Sequence, residues 1–180
     1  MSRDLAMLLS LQAWTSGPFL FWFSIFASKY LIFILAVFIG MLGFGKHRRK
    51  DRAYVYTAAW SALIAVGSSF ILGLILKRPR PFILASVTAR IEPPFTQYSL
   101  PSSHSAVAFA AASSIALAHP WFGLVGLIIA SLIAIARVAV GVHFPTDVLA
   151  GAALGIASSL LVHWYRIYLL PKTMRKKRSH

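Results

Sequence analysis

Between Phe19 and Phe44 a single residue, Lys29, carries a charge. At a rise of about 1.5 Å per residue, a helix of that length crosses a hydrocarbon core of roughly 30 Å. In lipid, a backbone must satisfy its own hydrogen bonds, so such a segment is constrained to be a membrane-spanning helix. The pattern recurs from about Ala53 to Leu76, from near Ser102 to about Ala118, from Trp121 to about Ala139 and from Thr146 to about Leu169. With 58% hydrophobic residues, 12% charged residues and a mean hydropathy of +0.74, the chain lies well outside the soluble range. The sequence therefore predicts an all-α, polytopic membrane helical bundle of about five transmembrane helices. Residues 1–16 place Leu5, Leu8, Leu9 and Trp14 among polar residues, which predicts an N-terminal interfacial helix rather than a cleaved signal peptide. The whole chain, 1–180, reads as one membrane-embedded domain with a basic cytoplasmic tail at 172–180.

Charge sets the expected orientation. The net charge of +14 concentrates in two clusters that flank apolar spans: Lys46, Arg48, Arg49, Lys50 and Arg52, then Arg166, Lys172, Arg175, Lys176, Lys177 and Arg178. This is the pattern of cytoplasmic anchors facing anionic headgroups, so the bilayer is the expected partner and nucleic acid is not. Counting spans from those anchors puts Arg80, His104, Arg137, His143 and Asp147 together at the opposite, outer face. Trp121, Trp164, Tyr165 and Tyr168 fall at the inner interface, where an aromatic belt is expected. The chain has no cysteine, which excludes disulfides, thiolate metal sites and cysteine nucleophiles.

Two other stretches carry organisation. Pro79 and Pro81 stop the second span, and residues 82–103, with Arg90, Glu92, Pro93, Pro94 and Tyr98, form the only long connection. A connection of that length predicts a functional or mobile element, here a lid over a site. Gly151, Gly155 and Ser159, spaced four apart, predict close approach of another helix.

The convergence at the outer face has a chemical reading. Arg80 and Arg137 offer planar, forked donors suited to phosphate, and Lys77 and Arg78 add positive charge. The basic run reads equally well as membrane-edge anchors, although it lies on the wrong side for the positive-inside rule. Ser102 and Ser103 open a helix whose free amides can bind an anion, or simply cap it. His104 follows them in the first turn, next to apolar neighbours. His143 and Asp147 are separated so that a carboxylate can hold one imidazole nitrogen and leave the other as nucleophile or base. Asp147 also suits the first turn of a helix that starts at Pro145, where a carboxylate complements the dipole.

Arg80-Pro81, then Pro101-Ser102-Ser103-His104, then Arg137 with five residues to His143 and three more to Asp147, resemble the three signature motifs of the type 2 phosphatidic acid phosphatase superfamily. Within it, the short length and the runs Arg78-Pro79-Arg80-Pro81-Phe82 and Val142-His143-Phe144-Pro145-Thr146-Asp147-Val148 look most like the small bacterial undecaprenyl diphosphate phosphatases. Three positions depart from the motifs. Gly73 stands where the first motif has lysine, Ser103 where the second has glycine, and Ala136 where the third has serine.

The resemblance implies a metal-independent lipid phosphatase without a cofactor. His143 would attack phosphorus to give a phosphohistidine, and Asp147 would fix its tautomer. His104 would protonate the leaving oxygen and then activate water. Arg80, Arg137, Ser102 and Ser103, with Lys77 or Arg78 possible substitutes for the missing lysine, would bind phosphate. The substrate expected from the resemblance is undecaprenyl diphosphate, cleaved at the outer face of the cell membrane. The alternatives are a phosphomonoesterase for phosphatidic acid, phosphatidylglycerol phosphate or lipid A phosphate, and a non-catalytic lipid-binding or transport component.

Overall fold

The computed structural model describes residues 2–44, 48–84, 87–92 and 97–168; Lys46, His47, Pro93, Pro94 and the basic tail at 172–180 lie outside them. Within the described residues the regular elements are all helices: α1 (Arg3–Trp14), α2 (Pro18–Leu42), α3 (Arg48–Leu76), α4 (Pro81–Leu84), α5 (Ser103–Ala116), α6 (Pro120–Ala139) and α7 (Pro145–Tyr168). Proline opens α2, α4, α6 and α7. Its missing N–H falls where a helix has no internal partner, and its fixed φ already suits the first turn. At the other end of α3, Lys77 takes a left-handed φ of 48° and its N–H donates to the Gly73 carbonyl at 3.0 Å. Pro79 and Pro81 then prevent the helix from resuming.

Four of the expected spans are long and apolar enough to cross a membrane: α2, the Arg52–Leu76 part of α3, α6 and α7. The remaining one, α5, has only 14 residues. Packing explains why a short helix is tolerated, because α5 is enclosed by α3, α6 and α7. Helical backbone surrounded by protein need not match the hydrocarbon thickness. Its buried side chains are mostly small: Ser105, Ala106, Ala108, Ala110, Ala112 and Ser114, with Ile115 the exception.

Between apolar helices in lipid there is little hydrophobic drive, so association depends on close packing and hydrogen bonds. Both are present around α5. A Cβ on Gly155 of α7 would run into the Ala106 carbonyl oxygen and come within 2.8 Å of the Ala110 nitrogen, so the two helices touch backbone to backbone. One turn further along, the Ser114 hydroxyl lies 3.0 Å from that of Ser159 and 3.1 Å from that of Ser61, joining α5, α7 and α3 through buried oxygens. On the other side, Leu35 and Ile39 of α2 pack with Ala108, Ala112 and Ile115 of α5 and Ala130 and Ile133 of α6.

Helices that alternate in direction bring the ends of α3 and α6 and the starts of α5 and α7 together. The expected interfacial helix, α1, lies against this end. Its Leu8 is fully buried with Val87, Ala134, Val138, Phe144 and Val148. Its Gln12 amide donates to the carbonyls of Thr88 at 3.1 Å and Ala139 at 3.3 Å. Arg90, from the long connection, donates back to the Gln12 carbonyl at 2.6 Å and to the Thr15 hydroxyl at 2.9 Å. At the opposite end Arg166 stacks on Tyr54, and Trp121, Trp164, Tyr165 and Tyr168 are exposed as an interfacial belt requires.

Candidate active site

The end of the bundle where these termini meet encloses a cavity of about 150 Å³. Arg80, Ser103, His104, Arg137 and His143 line it, together with Tyr98, Leu100, Pro101 and, from α3, Ser69, Phe70, Gly73 and Leu74. Arg80, Ser103, His104, Arg137 and His143 therefore reach one space from four separate stretches of sequence, whereas Ser102, the serine of the second motif, does not line it.

His143 sits in the turn between α6 and α7, at 3% exposure. Its Nδ1 lies 2.8 Å from the Ser99 carbonyl oxygen. A carbonyl can only accept, so Nδ1 carries the proton and Nε2 keeps its lone pair. Nε2 faces Arg80, whose Nη1 is 3.2 Å away and also donates to the Val142 carbonyl at 2.9 Å. Burial pushes the His143 pKa down to about 4, with the cations of Arg137 and Arg80 acting in the same direction and Asp147 against them. The ring is therefore neutral near pH 7, as a nucleophile must be.

The expected carboxylate partner is placed differently. Asp147 Oδ2 is 3.7 Å from His143 Nδ1, close enough to act through charge but too far for a hydrogen bond. That oxygen instead accepts from the Phe144 N–H at 2.8 Å. Pro145 is the first residue of α7, so this is the reciprocal half of a capping box. The Ser99 carbonyl fixes the tautomer, and Asp147 fastens the turn on which His143 rides.

Arg137, in the last turn of α6, is 4% exposed. Its Nη1 donates to Ser28 Oγ at 3.1 Å, while Nε has no hydrogen-bond partner among the described residues. A buried guanidinium left short of acceptors is set up to receive an anion. Ser102 is fully buried behind the cavity, where its N–H donates to the Asp147 carbonyl at 3.0 Å and its Oγ lies 3.4 Å from Ser105 Oγ.

Lys77 and Arg78 do not line the cavity. Lys77 is exposed, turned away by its left-handed backbone. Arg78 lies behind the site, bonded to Asp147 at 2.7 Å and to Asp4 at 2.6 Å. Neither stands in for the lysine replaced by Gly73, which lies on the cavity wall, where a Cβ would be in ordinary contact with the Leu100 carbonyl oxygen and Tyr98 Cβ.

A model of the PAP2 superfamily matches residues 53–170, which contain every residue that lines the cavity. The chain belongs to this superfamily. PAP2 relatives include an undecaprenyl-diphosphatase of Sulfolobus acidocaldarius, 35% identical over 63% of this chain and 55% of the relative, so the match spans little more than half of that protein. A bacitracin transport permease protein, BcrC, of Bacillus licheniformis is 33% identical over 77% of this chain and 68% of its own length. Among solved structures, Aquifex aeolicus LpxE shares the fold, with a TM-score of 0.71 at 24% identity over 92% of this chain and 97% of that one.

Some contributors to this PAP2 site escape a reading of the sequence. The Ser99 carbonyl and Ser28 act through folding alone and leave no mark in composition. Asp4 left a faint one, being one of only four acidic residues in a chain of net charge +14.

Proposed function

We propose that this chain is an integral-membrane phosphohydrolase that removes the terminal phosphate of a polyprenyl diphosphate, undecaprenyl diphosphate first among them, at the extracytoplasmic side of the cell membrane. It acts as a single membrane-embedded unit. The observation that carries the reading is the His143 lone pair, held ready by the Ser99 carbonyl at 2.8 Å, in the same cavity as His104 and two arginines. Nε2 attacks phosphorus in line, a P–N bond forms, and the P–O bond to the lipid phosphate breaks as His104, entering as the acid, protonates the departing oxygen. His104 then takes a proton from water, whose oxygen displaces His143 and releases inorganic phosphate. Arg80 and Arg137 counter the charge on the phosphoryl oxygens throughout.

The wall on the α3 side supports this substrate class. Phe70 and Leu74, 55% and 47% exposed, carry the cavity lining outward to the lipid-facing surface, a path suited to a chain that stays in the bilayer. A Cβ at Gly73 would meet only the Leu100 oxygen at 3.8 Å and Tyr98 Cβ at 3.9 Å. The absence of a lysine side chain from this wall of the cavity supports a substrate that brings a second phosphate. The name of the S. acidocaldarius relative supports the same choice. The donor set supports metal independence, because the two carboxylates beside the site among the described residues, Asp147 and Asp4, are already engaged, by Arg78 with Phe144 and by Arg78 with Thr146.

Purified protein in detergent, with chelator present, would be offered undecaprenyl diphosphate, phosphatidic acid and phosphatidylglycerol phosphate, and inorganic phosphate measured beside His143→Ala. Release from the diphosphate, abolished in the variant, is expected. Preference for a monoester would move the substrate to phospholipid, and no release from any lipid would sink the enzyme reading in favour of a binding or transport role. Release by the variant would refute the nucleophile, and a requirement for added divalent metal would refute the metal-free mechanism.

A further inference from the structure

The N-terminal helix reaches the catalytic turn through one arginine. Arg78 extends both arms of its guanidinium: Nη2 to Asp4 Oδ2 at 2.6 Å, and Nη1 to Asp147 Oδ1 at 2.7 Å and Thr146 Oγ1 at 2.6 Å. Its plane lies over the Phe144 ring, 4.3 Å from the centroid. Asp4 closes the circuit, accepting from the Thr146 N–H at 3.1 Å and from the Thr146 hydroxyl at 2.5 Å. Three of the four residues that follow His143 are thus gripped by two side chains from elsewhere in the chain. Asp147 passes the grip on, because its second oxygen holds the N–H of Phe144, the residue directly after His143.

From this geometry we infer that Asp4 and Arg78 are positioning residues of the catalytic centre, a clamp by which the N-terminal helix holds the His143 turn in register with the phosphate cavity; the inference rests on the phosphatase reading above. The division of charge makes the clamp specific. Asp147 is fully buried and needs a cation, which Arg78 supplies. Arg78 itself is 28% exposed, and a lone guanidinium at that depth is free to swing to water or to an incoming phosphate. Asp4 occupies its other arm and prevents both. Burial works to raise the Asp4 pKa, but hydrogen bonds from Thr146 and Arg78 outweigh it and hold the group below its ordinary value, so it is charged throughout the neutral range. Arg78 is therefore kept from binding phosphate by the carboxylates that make it useful, and only a forked cation can serve both of them.

The test uses full-length protein and four variants, Asp4→Ala, Asp4→Asn, Arg78→Met and the double change Asp4→Ala with Arg78→Met. The quantities measured are kcat and KM on the lipid substrate and the inhibition constant of inorganic phosphate. Misplacing a nucleophile by an ångström or less costs about tenfold to a hundredfold in rate, so kcat should fall by that factor in each single variant. The phosphate inhibition constant should stay within about twofold of the wild type, since no phosphate ligand has been removed. The double variant should be no slower than Arg78→Met alone, because both changes release the same clamp. Asp4→Asn keeps one acceptor, for the Thr146 N–H, and the fold of α1, so a defect there reports the lost charge and its bonds to Arg78 and the Thr146 hydroxyl rather than a detached helix. Wild-type kcat in both Asp4 variants would overturn the inference, as would multiplicative losses in the double variant. A weakened phosphate inhibition constant in Arg78→Met with kcat preserved would make Arg78 a phosphate ligand instead. If the wild type turns over and only these variants behave otherwise than stated, the clamp alone fails. If the wild type releases no phosphate from any lipid, the phosphatase reading fails and takes the clamp with it.

Discussion

Replacing Arg137 by methionine should move stability and activity in opposite directions. The guanidinium is 4% exposed and has one hydrogen bond, to Ser28 at 3.1 Å, while its Nε has no partner among the described residues. It also shares the cavity with the cation of Arg80. Exchanging a buried, poorly compensated charge for an apolar side chain of similar length stabilises a fold by about 1–4 kcal/mol. From this must be taken about 0.3–1 kcal/mol for a cation lost from the last turn of α6, where it complements the helix dipole. The net gain is about 0–3.7 kcal/mol, or up to about 15 °C in unfolding midpoint for a chain of this size. Activity should fall by about a hundredfold to a thousandfold, as when one preorganised donor to a developing charge is removed. A third effect follows by linkage. Inorganic phosphate at about 100 times its dissociation constant should stabilise the wild type by about 2.7 kcal/mol, and most of that protection should vanish in Arg137→Met. Tryptophan fluorescence during unfolding in detergent, with and without phosphate, measures the first and third effects, and phosphate release from lipid measures the second. A variant less stable than the wild type without phosphate, or one still protected by it, would refute the argument that Arg137 is held short of partners for an anion.

Further outcomes follow from the same geometry. Gly155→Ala should destabilise the fold by about 1–3 kcal/mol, because the new methyl must displace α7 from the Ala106 carbonyl and stretch the Ser114 to Ser159 contact; unfolding in detergent checks it, and an unchanged midpoint would mean that the helices are not in backbone contact. The His143 pKa of about 4 belongs to a base that works neutral, so kcat/KM should rise with pH through that value and be flat from about pH 5 to 7 as far as this group is concerned; an acid limb near 6.5 would show an unburied ring. Gly73→Lys should fit, since its Cβ meets nothing nearer than 3.8 Å, and should tighten inhibition by inorganic phosphate about tenfold while slowing turnover of the bulkier diphosphate. Glu92→Cys and Arg52→Cys, made singly in a chain that has no cysteine, should be labelled from opposite sides of the membrane; labelling of both from one side would overturn the proposed orientation.

How much of this was legible in the sequence depends on the kind of interaction. The spans were, because a long apolar run has one stable solution in lipid, and so was the convergence of Arg80, His104, Arg137 and His143, which line one cavity. The short α5 was read as a span like the others, since hydropathy registers apolar character but not whether protein or lipid supplies the surroundings. The tautomer partner was misplaced for a related reason. Spacing pairs His143 with Asp147, but every residue owns a carbonyl, so nothing marks that of Ser99 until the fold brings it to 2.8 Å. Arg78 looked like a phosphate ligand because a basic run beside a phosphate motif invites that reading, and the sequence does not say where its counter-ions come from.

Those counter-ions give the arrangement its logic. Of the four acidic residues in the chain, two, Asp4 and Asp147, converge on Arg78. Two residues on, Arg80 faces the cavity and the histidine nitrogen. Neighbouring arginines are thus placed differently by scarce carboxylates: the one with two is held behind the site, and the other lines the cavity. In a chain of net charge +14, positive charge is plentiful and does little to define a site. What defines it is where the few negative charges neutralise a cation, because this separates Arg78, paired with two carboxylates, from the arginines that line the cavity.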